Sequence, residues 1–598
     1  MKKHILALAG LLAGAMMATS CSQARLDEVE HLGVTEVDKT YAEANDMTAQ
    51  QLIANVYVTA KYLMMGDWGV HYIATTSAKT AECWPGGSGP NDGTEYHRMS
   101  AMIDDSENNA YKEMYTRFYK IMYKCNMIVD KLNDGSAERK RVIAEAKAWR
   151  AWAMMRLTQL WGSAPLVDHV LDGINYSFYP GNSNPEDNWK WIMTQFDEAA
   201  AVLPSKSGLG GQKAIGRWTA EACYAYKGQG YMWQNDYANA KVELAKVINS
   251  GKYELWDKTA TMGPSSYGTN MQLAKSQNEN WSDGSEEYEY LTLYRAEADF
   301  CDEFLLELDI DGDMTTITST EPYWFRAYMN WRKDEVNLPG NTTTASDGWG
   351  FINPTRTFGY AFAKHDGNSV RRRAAIATYS EVYHDFPYLN KDVRGVMSSM
   401  LFENEGYFRM KYYDYVDDVV PERFASGQTN GNRTNFPLMR YADVLLLYAE
   451  AVCMSGEGTA NISGLEALNK VRRRAGLTDA PALDMDNAEY GIKAERRFEL
   501  WLEDCSRYVD LIRWGDYKKF ITDTSIDGVS EHWGNECAWL VGLKDATKRT
   551  TDPTDWSNYE VRYDPLSTRG TWSDRFYLWP FPYAETTQNP NLDQNTGW

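Results

Sequence analysis

The chain has 598 residues and a formal net charge of −22, from 83 acidic and 61 basic side chains. This acidic excess argues against nucleic-acid binding, which needs a basic surface, and disfavours an anionic polymer as ligand unless a local basic patch overrides the total. Its 43% apolar residues predict a folded chain, and its 22 Trp and 39 Tyr supply flat rings for a core or for stacking on sugars.

The first residues have the pattern of an export signal. Lys2 and Lys3 precede an apolar stretch at residues 5–18, and small residues then lead to Cys21. This resembles a bacterial lipoprotein signal, which implies removal of residues 1–20 and lipidation of Cys21. The alternative is an ordinary secretory signal with an accidental cysteine. The apolar stretch is too short to span a membrane comfortably, and no second long apolar run follows.

Helical periodicity dominates the next part of the chain. Residues 21–48 are polar and are interpreted as a tether, and an N-terminal helical region is predicted over 49–254. Within the predicted helix at 137–161, Ala144, Ala148, Ala151 and Met155 form one face. The other predicted helices of this region lie at 110–132, 186–203, 218–234 and 236–250. A stretch at 66–105, rich in Gly, Asp and aromatic residues, lacks this periodicity.

Two helix pairs carry a repeat pattern. The offsets of the tetratricopeptide pattern are matched by Tyr224, Gly228, Tyr231, Ala240, Leu244 and Val247. A second pair, predicted at 438–455 and 461–475, resembles the first. Such pairs bury their faces only by stacking, so the chain is predicted to leave a solenoid and return to it.

The predicted fold is mostly α: a tetratricopeptide-like solenoid of helical hairpins with few short strands. Residues 255–436 are rich in Gly, Asn, Thr and Asp and are predicted to form an irregular insertion packed on the solenoid. Residues 437–598 form a C-terminal helical region, with a further helix near 488–505 and a final segment over the surface.

Four segments resemble the SusD/RagB family of outer-membrane lipoproteins. They are Leu-Trp-Gly-Ser-Ala-Pro-Leu-Val at 160–167; 440–451 with 468–472 and 475–477; 495–500 with 507–515; and 578–582 with 589–598. Together with the lipoprotein-like start, these segments extend over the whole chain in the order of the family's motifs. It implies a lipid-anchored protein on the outer membrane, facing the cell exterior, that partners a SusC-like TonB-dependent transporter and needs no cofactor.

The resemblance also implies a shallow glycan site drawing on the 66–105 loop and the central region. The candidate residues of the loop are Asp67, Glu82, Trp84, Asn91, Asp92 and Tyr96. Those of the central region are Trp281, Tyr288, Cys301, Trp324, Trp349 and Arg372. Trp84 stands in a Gly-rich loop without a helix to pack into, so we expect its ring to be exposed; the alternative is that it caps the core.

Two charged patterns are also notable. Asp309, Asp311 and Asp313 resemble the start of a calcium loop, but Gly312 falls at position four instead of six and Thr320 replaces the final Glu, so a solvated acidic turn is favoured. Alternating charges are expected to join two helices, with an anion site built from the arginines as the alternative. These charges are Arg496, Arg497, Glu499, Arg507, Asp510 and Arg513.

The favoured function is capture of an oligosaccharide at the cell surface and its delivery to the transporter. No nucleophile-elbow, zinc-protease, phosphate-loop or dinucleotide motif occurs, so we expect no enzyme. The alternatives are a peptide-binding protein, as in RagB-type members, and a surface glycoside hydrolase with two carboxylates.

Overall fold

The computed structural model describes residues 36–65, 72–206, 216–256, 293–294, 298–309, 328, 349–385, 402–412, 434–504, 506–522, 536–565 and 570–598. In these residues helices predominate over short strands. The helices of the N-terminal half are α1 Glu36–Ala42, α2 Asp46–Met65, α3 Tyr72–Ser77, α4 Thr94–Ser100, α5 Asn109–Lys131, α6 Ala137–Trp161, α7 Pro185–Ala200, α8 Ala220–Trp233 and α9 Tyr237–Ser250.

The helices that follow are α10 Arg356–Asp366, α11 Val370–Ala375, α12 Tyr379–Asp385, α13 Tyr441–Ser455, α14 Gly464–Arg474, α15 Ile492–Glu499, α16 Ser506–Arg513, α17 Tyr517–Thr522 and α18 Tyr583–Gln588. The strands are β1 Cys83–Gly86, β2 Phe304–Leu308, β3 Phe351–Pro354, β4 Ile376–Thr378, β5 Tyr407–Arg409, β6 Phe436–Arg440, β7 Glu536–Leu543 and β8 Tyr559–Pro565.

Side-chain caps mark the starts of the long helices. The Ser136 side chain accepts a hydrogen bond from the backbone N–H of Arg139. Helix α6 begins directly after Ser136, at Ala137, as the sequence predicts. Asn184 caps α7 in the same way, and Pro185 occupies its first turn, where a missing N–H costs nothing. These local signals explain why the predicted bounds of the long helices are close to the observed ones.

Antiparallel helix pairs stack as predicted. Helix α5 packs on α6, α6 on α7, and α8 on α9. A Cβ atom at Gly228 would lie 2.6 Å from Cγ of Leu244, so α8 and α9 approach more closely there than a larger residue permits. Helix α9 then packs on α13, which confirms that the chain leaves the solenoid and returns to it.

Much of the tryptophan content lies in the core between these helices. Trp149 meets Trp152 and Trp218 edge to face, with ring centroids 5.6 and 5.5 Å apart. All three side chains are fully buried. Edge-to-face packing suits the charge distribution of aromatic rings, so these residues stabilise the solenoid and are not available to a ligand.

The described strands pair into short antiparallel sheets, two of which, β1–β3 and β2–β6, join the central region to the segments on either side of it. Strand β1 pairs with β3, β2 with β6, β4 with β5, and β7 with β8. The pairing of β1 with β3 sets Trp84 opposite Asn353 and so brings the N-terminal loop against the central region. At the C-terminus, the Trp161 indole donates a 2.8 Å hydrogen bond to the carbonyl of Pro580 and holds the last segment on the surface.

Among the described residues, every helix is too short or too polar to span a membrane. The five cysteines whose side chains are described are all unpaired: Cys83, Cys125, Cys223, Cys301 and Cys453.

Candidate functional site

A glycine-rich loop, residues 86–93, wraps around the ring of Phe351. Gly86, Gly87 and Gly93 all have positive φ, near 70–82°. A Cβ atom would lie 2.8 Å from the Phe351 ring at Gly87 and 2.7 Å from it at Gly93. The loop therefore needs glycine both for its backbone conformation and for its close approach to this ring.

Phe351 belongs to an aromatic cluster beneath the loop. Its ring stacks on Tyr328, with centroids 4.0 Å apart and planes at 10°. Tyr328 in turn meets Tyr96 and Trp349 edge to face, at 5.9 and 6.0 Å. Phe351, Tyr328 and Tyr96 are buried, whereas Trp349 is only partly buried. The cluster thus forms a rigid base with one accessible ring, that of Trp349.

Two buried carboxylates hold the loop and the strand β1 that leads into it. Glu403 accepts a 2.9 Å hydrogen bond from the N–H of Gly86, and Glu405 accepts one of 2.9 Å from the indole of Trp84. His97 lies between Gly86 and Glu403. Burial lowers the pKa of His97, but the Glu403 carboxylate and hydrogen bonds to the backbone of Gly86 and Asp92 together outweigh that effect, and the net shift is upward. Both glutamates are therefore used in holding the loop.

The accessible surface of the loop is polar. Ser88 and Asn91 are exposed, and Asp92 is partly so. The Asp92 carboxylate accepts hydrogen bonds from the N–H and hydroxyl of Ser88, at 2.9 and 2.8 Å. The Asp92 carboxylate lies next to the amide of Asn91 and near the partly exposed indole of Trp349. Together these groups offer paired hydrogen-bond acceptors and donors beside a flat apolar face.

The prediction that Trp84 exposes its ring is wrong. Its side chain is 3% exposed, and the alternative, that it caps the core, describes the structure. The reason is tertiary: strand β1 pairs with β3, and Glu405 in a distant segment supplies the partner of the indole N–H.

Four other predicted ligand residues are also buried. Glu82 accepts hydrogen bonds from Arg497 and Arg507, at 2.7 and 2.8 Å. Arg372 is bound by both oxygens of Glu381, each at 2.8 Å or less. Tyr96 lies in the aromatic cluster, and burial raises the pKa of the Cys301 thiol. In each case an interior partner or packing contact occupies the group that a ligand would need.

Several predictions fall elsewhere. Asp67, Trp281, Tyr288, Trp324, Asp311, Asp313 and the lipidation residue Cys21 lie outside the described residues. Asp309 is exposed. Over the described part of the chain, no group of three or more His, Cys, Asp or Glu side chains is placed to hold a metal ion.

Sequence reasoning missed the residues that support the loop. Phe351, Glu403 and Glu405 lie more than 250 residues from the loop along the chain, and they contact it through β1–β3 pairing and single hydrogen bonds. The run of glycines at 86–93 was the available signal, because repeated glycine indicates close backbone approach to another group.

Replacing Gly93 by alanine is expected to destabilise the loop by about 1–2 kcal/mol, the cost of a left-handed backbone in a residue with a Cβ atom. Contact with Phe351 adds to this cost. The measurement is the thermal midpoint of the variant beside that of Gly89→Ala, since a Cβ atom at Gly89 meets nothing within 4 Å. Equal midpoints for the two variants would contradict the assigned loop geometry.

Two family models match the chain. The model described as "SusD family" matches residues 302–598, and the model described as "Starch-binding associating with outer membrane" matches residues 30–231. Together they span well over half of the sequence, in the order of the resembling segments. The protein belongs to the SusD-like family.

Curated relatives agree with this assignment. A SusD-like protein of Bacteroides ovatus is 23% identical over 502 residues, which are 80% of each chain. The SusD-like protein P38 of Formosa agariphila is 20% identical over 415 residues, which are 67% of this chain and 71% of the relative.

Solved structures share the fold. A SusD-like protein from Bacteroides fragilis is 17% identical, with a TM-score of 0.67 over 94% of this chain and 98% of its own. The surface glycan-binding protein A of Bacteroides thetaiotaomicron, in complex with laminarihexaose, is 18% identical, with a TM-score of 0.63 over 92% of this chain and 100% of its own. The tetratricopeptide-like helical architecture is therefore that of the family.

Proposed function

We propose that the protein binds oligosaccharides at the cell surface through the loop of residues 86–93 and the ring of Trp349. The observation that carries this proposal is the partly exposed indole of Trp349 beside a loop with an accessible amide and carboxylate, Asn91 and Asp92. The residue after Trp349, Gly350, accepts a 3.0 Å hydrogen bond from the N–H of Gly87 in that loop. Family relatives whose names describe glycan binding support the same function.

The chemistry of the loop suits a sugar. An indole face removes the apolar C–H face of a sugar ring from water, while Asn91 and Asp92 can pair with its hydroxyl groups. The glycine conformations and the bonds to Glu403 and Glu405 hold the loop in place before the ligand arrives. A preorganised loop loses less entropy on binding, and so a shallow surface can still bind usefully.

The proposal extends to location and partner. Cys21 carries the lipid, and the folded chain faces the cell exterior. The tether is shorter than the predicted 21–48, because helix α1 and the first residues of helix α2 lie within that range. The captured oligosaccharide passes to a SusC-like TonB-dependent transporter in the same outer membrane. This part is supported by the lipoprotein-like start of the sequence and by the family model that names outer-membrane association.

Replacing Trp349 by alanine is expected to weaken binding of the best ligand at least tenfold, equivalent to about 1.4 kcal/mol. Truncating an aromatic anchor at the centre of a contact typically costs this much or more. The ligand is first identified by testing a panel of neutral glycans and peptides against the purified protein, and affinity is then measured by titration calorimetry.

The matched control is Tyr123→Ala, which removes a ring that is 56% exposed on α5, outside the loop. Its affinity should equal that of the parent protein. If Trp349→Ala binds the best glycan as tightly as the parent, the proposed site is wrong. If only peptides bind, or if the glycan is cleaved on incubation, oligosaccharide capture is the wrong function.

A further inference from the structure

A large open cavity lies away from the loop site, among helices α10, α15, α16 and α17. Its volume is about 660 Å³, which is within the range of sites that hold small organic ligands. The C-terminal end of α10 and the turn before α15 complete its walls. No residue of the 86–93 loop lines it, and the proposed oligosaccharide site does not explain it.

A guanidinium with a shared counter-ion lines this cavity. Arg507 and Arg497 both donate from Nε to the same oxygen of Glu82, at 2.8 and 2.7 Å. Among the described residues, this is the one hydrogen bond of Arg507. Its two Nη atoms make no hydrogen bond there, and they are not completely buried. Burial lowers the pKa of Arg507, as expected for a cation with too little compensating charge.

Two lysines add positive charge at the rim. Lys364 and Lys519 are exposed, line the cavity and form no ion pair with any residue that the structure describes. A third lysine, Lys493, is held by Asp486 and Asp516, at 2.9 and 2.8 Å. The remaining carboxylate of the lining is the exposed Glu489. The cavity is therefore cationic within a protein whose total charge is −22.

Aromatic rings form part of the wall beside these cations. Trp514 and Phe520 line the cavity. The Arg507 guanidinium lies 4.5 Å from the centroid of the Phe520 ring, a cation–π contact. Trp514 donates its indole N–H to Glu450 at 2.8 Å and is held at the wall. Flat rings next to cations suit a ligand that is both ring-shaped and negatively charged.

We propose that this cavity binds a carboxylated sugar, the uronate unit of an acidic oligosaccharide. The carboxylate interacts with Arg507, Lys364 and Lys519, and the sugar ring packs against Trp514. Arginine suits this role because its planar donors match the geometry of a carboxylate. The sugar part of the assignment rests on the proposed function, whereas the anionic part rests on the cavity alone.

The test is titration calorimetry of the purified protein with digalacturonate and with its uncharged methyl ester. In 50 mM NaCl the acid should bind at least tenfold more tightly than the ester, and the difference should shrink in 500 mM NaCl because salt screens the attraction. The double variant Lys364→Gln, Lys519→Gln should lose at least tenfold in affinity for the acid. Both lysines are exposed, so the double variant should fold normally.

The matched control is Lys518→Gln, the neighbouring lysine, which is exposed and does not line the cavity. Its affinity for digalacturonate should equal that of the parent. Equal binding of acid and ester, absence of acid binding, or an unchanged double variant would each overturn the proposal. Inorganic sulfate that binds as tightly as digalacturonate would also overturn it, because the site would then bind any anion.

The two sites can fail separately. Loss of neutral-glycan binding in Trp349→Ala tests the loop, and the lysine double variant should leave that binding unchanged. If digalacturonate does not bind but Trp349→Ala loses glycan affinity, the cavity assignment is wrong and the proposed function stands. If digalacturonate binds as expected but Trp349→Ala keeps its glycan affinity, the loop site is wrong and the cavity assignment stands.

Discussion

Replacing Arg440 by methionine is expected to lower the free energy of unfolding by about 3–5 kcal/mol, the usual cost of removing one partner from a buried ion pair. Arg440 is fully buried between strand β6 and helix α13. It donates to Glu503 at 2.8 and 2.7 Å, to Glu499 at 3.1 Å and also to Glu303.

The loss should be large because the three carboxylates remain in the interior. Glu303 and Glu499 are fully buried, and Glu503 nearly so. In the variant, Arg474 still pairs with Glu303 and Glu499, and Lys411 with Glu503. The guanidinium that contacts all three carboxylates is missing. An uncompensated carboxylate in the interior costs several kcal/mol. Urea denaturation followed by tryptophan fluorescence measures the change.

Arg473→Met is the matched control. Arg473 also pairs with two carboxylates, Glu466 and Asp479, at 2.7 and 2.8 Å, but its side chain is 47% exposed. Exposed pairs contribute only about 0–1 kcal/mol. If Arg440→Met costs no more than Arg473→Met, the buried cluster does not stabilise the fold as inferred.

Replacing Glu307 by glutamine is expected to stabilise the protein at pH 8 and to change little below pH 4.5. Burial raises the pKa of Glu307 to about 8, despite hydrogen bonds from the N–H of Phe300 and the amide of Asn435. Between pH 4.5 and 8 the folded protein keeps this proton while the unfolded chain releases it. The stability that the protonated form contributes is therefore present below pH 4.5 and is lost as pH rises to 8.

Glutamine removes this pH dependence because it is neutral throughout and can accept the same two hydrogen bonds. The expected gain at pH 8 is roughly 4–5 kcal/mol, since the pKa rises from 4.5 to about 8 and each unit of pKa difference is worth about 1.4 kcal/mol. Thermal midpoints of parent and variant are compared at pH 4.5, 6 and 8. The control is Glu457→Gln at an exposed position. A constant difference across the three pH values would show that Glu307 does not titrate as inferred.

The candidate site was only partly predictable from sequence. Asn91 and Asp92 of the predicted 66–105 loop and Trp349 of the central region stay predictions, made because glycine, polar residues and an aromatic residue outside helical patterns are local signals. The burial of Trp84 was not predicted, since it depends on Glu405, 321 residues away. Glu82 likewise acquires its role from Arg497 and Arg507, which reach it only in the folded chain.

The charged helices give a similar contrast. Arg496 binds Asp510 at 2.8 Å, so the predicted pairing between α15 and α16 is confirmed. Arg497 and Arg507 carry the same charge and lie in the same two helices, yet they bind Glu82 in the N-terminal half. Charge alternation reports which residues can pair, but not which partner is nearest.

The sequence alone determined the helical hairpins, since the spacing of small and large apolar residues and the capping side chains act within a few turns of each helix. It also identified the family, because the motifs occur in order along the chain. Only the tertiary structure decided which aromatic rings are accessible and which arginines face a cavity. Burial and ion pairing depend on residues hundreds of positions apart, and no local pattern encodes the distance between them.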